Sequence, residues 1–227
     1  MSACGRRLAP TSGRPAAAPV GGKVADVGRL AVAAVVTAVG FHGTVAPIDP
    51  ALRHRMTSWH PGCPVPLSRL RLLTLTYWGF DGRVHEGRLI VNEREARHVV
   101  GVFRVLFDAR FPIRRMRLVD AYGSSDDRSI AADNTSGFNC RRVAGSRAWS
   151  AHAYGLAIDL DPLENPELHD GLASPPAGRA FADRSRRAPG MIHAGDLVVR
   201  AFAAAGWRWG GYWRSPRDYQ HFSATGD

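Results

Sequence analysis

The stretch Gly155-Leu156-Ala157-Ile158-Asp159-Leu160-Asp161 constrains the fold most, because large apolar residues alternate in it with small or acidic ones at period two. Such alternation marks a half-buried strand. It turns Leu156, Ile158 and Leu160 toward a core and Asp159 toward the opposite face. His152 lies just upstream, and Gly155 permits a turn that returns His152 toward Asp159. Near the C-terminus stands Asp218-Tyr219-Gln220-His221. Asp218 and His221 would face opposite sides of a regular strand, so a bend or helical turn is needed for both to serve one pocket. Two imidazoles and a carboxylate, His152, Asp159 and His221, form a three-ligand set that leaves a coordination position open for water, as a catalytic zinc ion requires. Asp218 then reads as a carboxylate beside the metal that takes a proton from water and gives it to a leaving amine. Asp161, just before Pro162, reads as an ordinary carboxylate on a solvated strand face.

These residues resemble a known family, the zinc D,D-carboxypeptidases of the vancomycin-resistance type together with the L-alanyl-D-glutamate peptidases of bacteria and phages. Its pattern Ser-x-His-x-x-Gly-x-Ala-x-Asp stands here as Ser150 to Asp159. Its Gly-Trp-x-Trp-Gly-Gly-x-Trp block stands as Gly206 to Trp213, and its acid followed after two residues by His-Phe stands as Asp218 to Phe222. The likeness runs from about Cys63 to the end of the chain. It implies that His152, Asp159 and His221 are zinc ligands, that Asp218 is the general base, and that an arginine upstream of the first ligand serves substrate or transition state. Arg141 is the choice for that arginine, with Arg128 behind it and a plain surface role as the alternative, since a guanidinium suits both a substrate carboxylate and the charge that builds on a carbonyl oxygen. The implied fold is α+β, a small, mostly antiparallel sheet with flanking helices of the Hedgehog/DD-peptidase-like type. Ser150 reads equally as a donor to substrate backbone or as a cap for its own loop. Trp207, Trp209 and Trp213 are expected as core around the site, and Tyr212 reads as lining the cleft, with core packing the plainer reading for all four.

One departure bears on substrate. Many D,D-carboxypeptidases of this family carry Glu as the base, and Asp218 looks more like the L-alanyl-D-glutamate branch. The resemblance thus implies a zinc peptidase of peptidoglycan stem peptides, cutting either the terminal D-Ala-D-Ala bond or a bond inside the stem. A serine mechanism needs Ser-x-x-Lys, and the only lysine is Lys23. The His-Glu-x-x-His zinc helix is also absent. The alternative is a non-catalytic zinc-bearing cell-wall-binding module, since a fold can keep its metal and lose its reaction. A third reading is an exported, arginine-rich surface protein without metal.

The formal charge of +10 and a pI near 10.6 imply attraction to polyanions. Because every basic residue but Lys23 is Arg, a compositional bias explains the charge first, and adhesion to an anionic wall or membrane surface second. Nucleic acid is not an expected partner, as the basic residues form no aromatic-interleaved stripe. A monomer is expected. The chain of 227 residues accommodates one domain plus a leader, placed here at residues 1–46 and 47–227. Residues 1–28 are rich in Ala, Gly, Pro and Arg without periodicity, and residues 30–41 are apolar but short of the roughly 20 a bilayer needs. That order reads as a secretory signal or an uncleaved membrane anchor through residues 30–41, with a buried core helix as the bland reading. Export makes a disulfide between Cys63 and Cys140 the expected state, Cys4 belonging to the leader. A nucleophilic Cys140 is the rival.

The remaining elements follow from pattern. Leu70 to Tyr77 and Arg83 to Val91 read as strands joined by an Asp81-Gly82 turn. Asn92 is expected to cap a helix with Glu95 in a capping box, its apolar stripe being Val99, Phe103, Leu106 and Phe107 and its end Pro112. Met116 to Ala121 reads as a strand, Tyr122 to Gly145 as a long functional loop, and Leu163 to Pro189 as irregular. Asp196 to Ala205 reads as a helix stopped by Gly206.

Overall fold

Apolar alternation in the first half of the chain produces a long antiparallel hairpin, and one amphipathic helix covers it. The structure is a computed structural model that describes residues 40–226. In chain order its elements are β1 (Gly43–Pro47), α1 (Pro50–Arg55), β2 (Leu70–Trp78), β3 (Val84–Asn92), α2 (Ala96–Asp108) and α3 (Asp126–Ala131). There follow β4 (Ala157–Asp159), β5 (Glu167–His169), β6 (Leu172–Ser174), α4 (Leu197–Ala204), β7 (Arg208–Trp209), β8 (Arg217–Asp218) and β9 (His221–Ser223). The strands form three small antiparallel sheets, ordered β1-β2-β3, β4-β9-β7 and β6-β5-β8. An α+β fold with little sheet and few helices is thus what the chain adopts.

Leu73, Leu75 and Tyr77 of β2 and Leu89 and Val91 of β3 point to one face, where Val99, Val102, Phe103 and Leu106 of α2 bury against them. A two-stranded hairpin alone is marginal in water. Each fully buried Leu or Phe adds about 1.5–3 kcal/mol, so the α2 interface holds this sheet together. The same core continues through Ile158, Val198, Phe202 and Phe222, where Phe202 and Phe222 stack with ring centres 4.0 Å apart. Asp196 caps α4 by accepting from the Val199 amide at 3.1 Å.

Several sequence expectations are corrected. Residues 43–46, placed with the leader, form most of β1 and pair with β2 from Gly43↔Leu75 to Pro47↔Arg71. The apolar segment 30–41 lies outside the described residues except for its end, where the Phe41 ring packs on Phe107 at 5.7 Å. Among the described residues no helix is long and apolar enough to cross a membrane. Asn92 does not cap α2: it ends β3, and its side-chain amide donates to the Tyr154 carbonyl at 3.0 Å. Glu95 instead accepts from the Trp207 indole at 3.0 Å, fastening α2 to the start of β7. Met116 to Ala121 is no strand. It makes single-residue contacts on either side, Arg88 N–H to Met116 O and Thr135 N–H to Arg115 O, each 3.0 Å, then enters a 3-10 turn at Val119–Tyr122. The loop after it contains α3, capped by Ser125. The stretch expected to be irregular holds the β5–β6 hairpin. In each case a tertiary partner, not local propensity, chose the conformation.

Asp161 also departs from expectation. It is fully buried with φ of 45°, because the chain turns sharply after β4 and runs beneath Arg114 and Thr135. Its Oδ1 accepts from the Arg114 amide at 2.8 Å, and its Oδ2 has no partner among the described residues. Burial pushes its pKa well above the usual range, helped by Asp133 and Glu164 nearby. Glu164 is raised to about 7 by burial and by the Asp133 carboxylate, against the pull of Arg114 at 3.2 Å. The reason the period-two reading failed here is that this segment is covered on both faces.

Cys63 and Cys140 are disulfide-bonded across a separation of 77 residues, which removes the nucleophilic reading of Cys140. Two outcomes are expected. A thiol assay on the denatured, unreduced full chain counts one thiol, from Cys4, and replacing Cys63 and Cys140 by Ser lowers unfolding stability by about 2–5 kcal/mol. Between the ordinary Glu range and pH 7 the folded protein keeps a proton on Glu164 that the unfolded chain releases, so stability declines as pH rises through this window. Glu164→Gln removes that share of the slope in denaturant titrations from pH 4 to 8.

Candidate metal centre

The short strand β4 sits between β9 on one side and a buried polar segment on the other. Register with β9 pairs Asp159 directly opposite His221. Residues directly opposite in an antiparallel pair project to the same face with Cβ atoms about 4.5–5.5 Å apart, so this register alone sets a carboxylate beside an imidazole. On the other side Asp159 N–H donates to Ser136 O at 2.9 Å and Ser136 N–H to Asp159 O at 3.0 Å. The bend the sequence requires between Asp218 and His221 is made at Tyr219 and Gln220, between β8 and β9.

His152 arrives on a 3-10 turn, Ala151–Tyr154, whose first amide layer is capped by the Ser150 hydroxyl accepting from His152 N–H at 3.3 Å. Gly155 closes the turn at φ +67°, and a Cβ there would lie 2.6 Å from the Asn92 amide nitrogen, so only glycine fits. His152 Nδ1 is 2.7 Å from the Gly137 carbonyl, which can only accept, so Nδ1 carries the proton and Nε2 presents its lone pair. That lone pair is 3.2 Å from Asp159 Oδ2 and 3.3 Å from His221 Nδ1, and His221 Nδ1 is 3.0 Å from Asp159 Oδ1. All three residues are buried, at 2%, 3% and 7% exposure for His152, Asp159 and His221.

These spacings fit one shared cation. Two ligand atoms each about 2.0–2.1 Å from a tetrahedral zinc ion stand about 3.3 Å apart. Without a proton or a cation between them, His152 Nε2 and the Asp159 oxygen would set lone pair against lone pair in a buried place. Burial works to raise the Asp159 pKa, but His152 and then His221 outweigh it and hold this carboxyl well below the usual range. Asp159 is therefore an anion ready to balance a cation.

The centre opens into a cleft of about 610 Å³, and Asp218, Arg141 and Ser150 line it with the three converging side chains. Asp218 is part-exposed as a residue, yet its Oδ1 is sealed from solvent and finds no partner among the described residues. Burial, reinforced by Asp159 and Glu167 against the pull of His221, raises it to about 7. A carboxylate at that value both accepts and releases a proton near neutrality. Arg141 is held by Asp126 of α3 through Nη2 at 2.8 Å, and its buried Nε has no acceptor among the described residues. Ser150 caps its own turn while facing the cleft. Tyr212 is elsewhere: it is 61% exposed, its hydroxyl accepts from Gly195 N–H at 3.2 Å, and it does not line the cleft. Trp213, expected in the core, takes that place, half-buried with its ring 5.3 Å from His221.

Sequence reasoning missed Glu167, which β5–β8 pairing sets opposite Asp218, and the cleft-lining Gln220 and Trp149. Trp149 and Gln220 were adjacent to named motif residues, whereas Glu167 had no signal beyond its charge. His60, near the disulfide, forms with Cys63 and Cys140 a second group of ligand-type side chains, but both sulfurs are committed to each other.

Against known proteins, residues 144–224 match the family model described as D-alanyl-D-alanine carboxypeptidase. No curated protein and no solved structure matches the chain. The matched stretch carries His152, Asp159, Asp218 and His221, and the match supports the likeness to this family of peptidases that its motifs show.

Proposed function

We propose that the protein is a zinc-dependent peptidase that cuts peptidoglycan stem peptides outside the cytoplasmic membrane. The observation that carries this reading is the spacing of 3.0–3.3 Å among His152 Nε2, His221 Nδ1 and Asp159, next to a cleft that also holds Asp218. His152, Asp159 and His221 would hold the ion, which when bound polarises the scissile carbonyl and acidifies water. Asp218, with a pKa near neutrality, takes the proton from the attacking water and returns it to the leaving amine. The Gly137 carbonyl keeps His152 in the tautomer that can ligate. Arg141, anchored by Asp126, offers its guanidinium to a substrate carboxylate or to the charge developing on the carbonyl oxygen. Export is supported by the Cys63–Cys140 bond, which persists in an oxidising compartment.

The Asp218 Oδ1, sealed and without a partner among the described residues, favours a catalytic site over a wall-binding module, because a binding module gains nothing from an unsatisfied carboxylate oxygen. Three measurements test the reading. Elemental analysis of the purified chain is expected to give one zinc per protein, and His152→Ala to lose it. Asp218→Asn should keep the zinc and lower turnover of purified muropeptides by about 10²–10⁴-fold. Mass spectrometry of a peptidoglycan digest names the bond cut; full zinc occupancy with no cleavage of any stem peptide would assign the module instead.

A further inference from the structure

Outside the cleft, arginines crowd one edge of the first sheet. The segment Arg115-Met116-Arg117 runs beside β3 with its backbone pinned on both sides. Arg88 N–H donates to Met116 O, Thr135 N–H donates to Arg115 O, and the buried Asn134 side chain both donates to Arg117 O and accepts from its amide at 2.9 Å. Met116 is driven inward, 2% exposed, against Gly87, where a Cβ would sit 2.5 Å from the Met116 Cβ. Arg115 and Arg117, on either side of it, line two hollows of about 420 and 370 Å³ that share Glu86, Met116 and Arg117. Arg88 from β3 and Arg55 from the end of α1 line the larger one.

None of Arg55, Arg88, Arg115 and Arg117 forms an ion pair among the described residues. The Nε of Arg115 is buried and has no acceptor among the described residues. Of the two acids in the larger hollow, Asp120 already accepts from the Thr57 and Ser58 amides at 2.6 and 2.9 Å, which leaves Glu86 there against three guanidinium groups, Arg55, Arg88 and Arg117, with Arg115 in the adjoining hollow. Like charges gathered at one edge repel one another, and a bound anion relieves that repulsion.

We propose that these joined hollows bind an extended polyanion whose charges are phosphate groups, a phosphodiester or polyphosphate chain without bases, as a docking site apart from the metal centre. Several guanidinium forks at one edge suit closely repeated anionic groups and pair with phosphate bidentately. A nucleic acid fits less well, because Tyr77 is the single Phe, Tyr or Trp lining either hollow and it is buried, leaving the His85 imidazole, already paired with Asp81, as the one exposed ring beside them. A flat membrane surface would reach the rims of the hollows and not the arginine side chains that line them. The assignment stands on these arginines alone and does not depend on the peptidase reading.

Fluorescence-anisotropy titration of the full chain with labelled linear polyphosphate tests it, at several salt concentrations. The variant Arg88→Ser/Arg115→Ser/Arg117→Ser is expected to bind at least about tenfold more weakly, with the slope of log affinity against log salt reduced by about two. The control Arg94→Ser/Arg97→Ser/Arg187→Ser, which removes the same charge elsewhere, is expected to bind as the wild type does. Arg88→Ser/Arg117→Ser, confined to exposed residues, keeps the test open should loss of Arg115 unfold the chain. Equal weakening in the two triple variants would assign binding to net charge and overturn the site, as would absence of polyphosphate binding. Polyglutamate or a single-stranded oligonucleotide binding more tightly than polyphosphate, or anionic phosphatidylglycerol vesicles binding where polyphosphate does not, would overturn the ligand class.

Discussion

The pairing of β4 with β9 is the interaction on which the rest depends. Three residues on each strand fix a register, and that register sets Asp159 opposite His221. A slip of one residue would turn the whole side-chain set to the other face. The register is held by what lies beneath it: Ile158 and Phe222, neighbours in the same ladder, are both fully buried, and Phe222 stacks on Phe202 of α4. Core packing on one face thus fixes ligand geometry on the other.

Around this pair the molecule uses polar backbone as a scaffold. Residues 134–139 are buried although they are mostly polar, and they meet their hydrogen-bonding needs by gripping the site. Ser136 pairs with Asp159, the Gly137 carbonyl orients His152, and Asn139 N–H donates to His152 O at 3.2 Å. Burying such groups is costly unless they are paired, so the same bonds that satisfy this segment also fix both ligand-bearing turns. The disulfide at Cys140 ties down its far end. Arg141 follows at once and is positioned by Asp126, so α3, the loop and the cleft form one connected unit.

The acids of this region divide by environment. Asp159, between two imidazoles, is held as an anion, while Asp218, with one oxygen sealed from solvent and the charges of Asp159 and Glu167 acting on it, is raised toward neutrality. Two carboxylates in one cleft are thereby given different protonation behaviour, one suited to charge balance and one to proton transfer. Asp161 and Glu164, raised as well, do not line the cleft.

The sequence by itself determined the elements whose pattern is local and strong: the hairpin of β2 and β3, the apolar stripes of α2 and α4, the glycine at 155, and the candidate ligands His152, Asp159 and His221 with Asp218 beside them. Those residues were legible because their spacing around short strands repeats a family motif, and because few side-chain types can ligate zinc or shuttle a proton. Tertiary structure decided the rest. It buried Asp161, which alternation alone would expose, since alternation assumes one wet face and this strand has none. It exchanged the roles of Tyr212 and Trp213, because a 3-10 turn at Gly210–Tyr212 rotates neighbours in ways a strand period does not describe. It brought Glu167 opposite Asp218 and gathered Arg55, Arg88, Arg115 and Arg117 at one edge, placements set by contacts between residues far apart in the chain and therefore invisible to any local pattern.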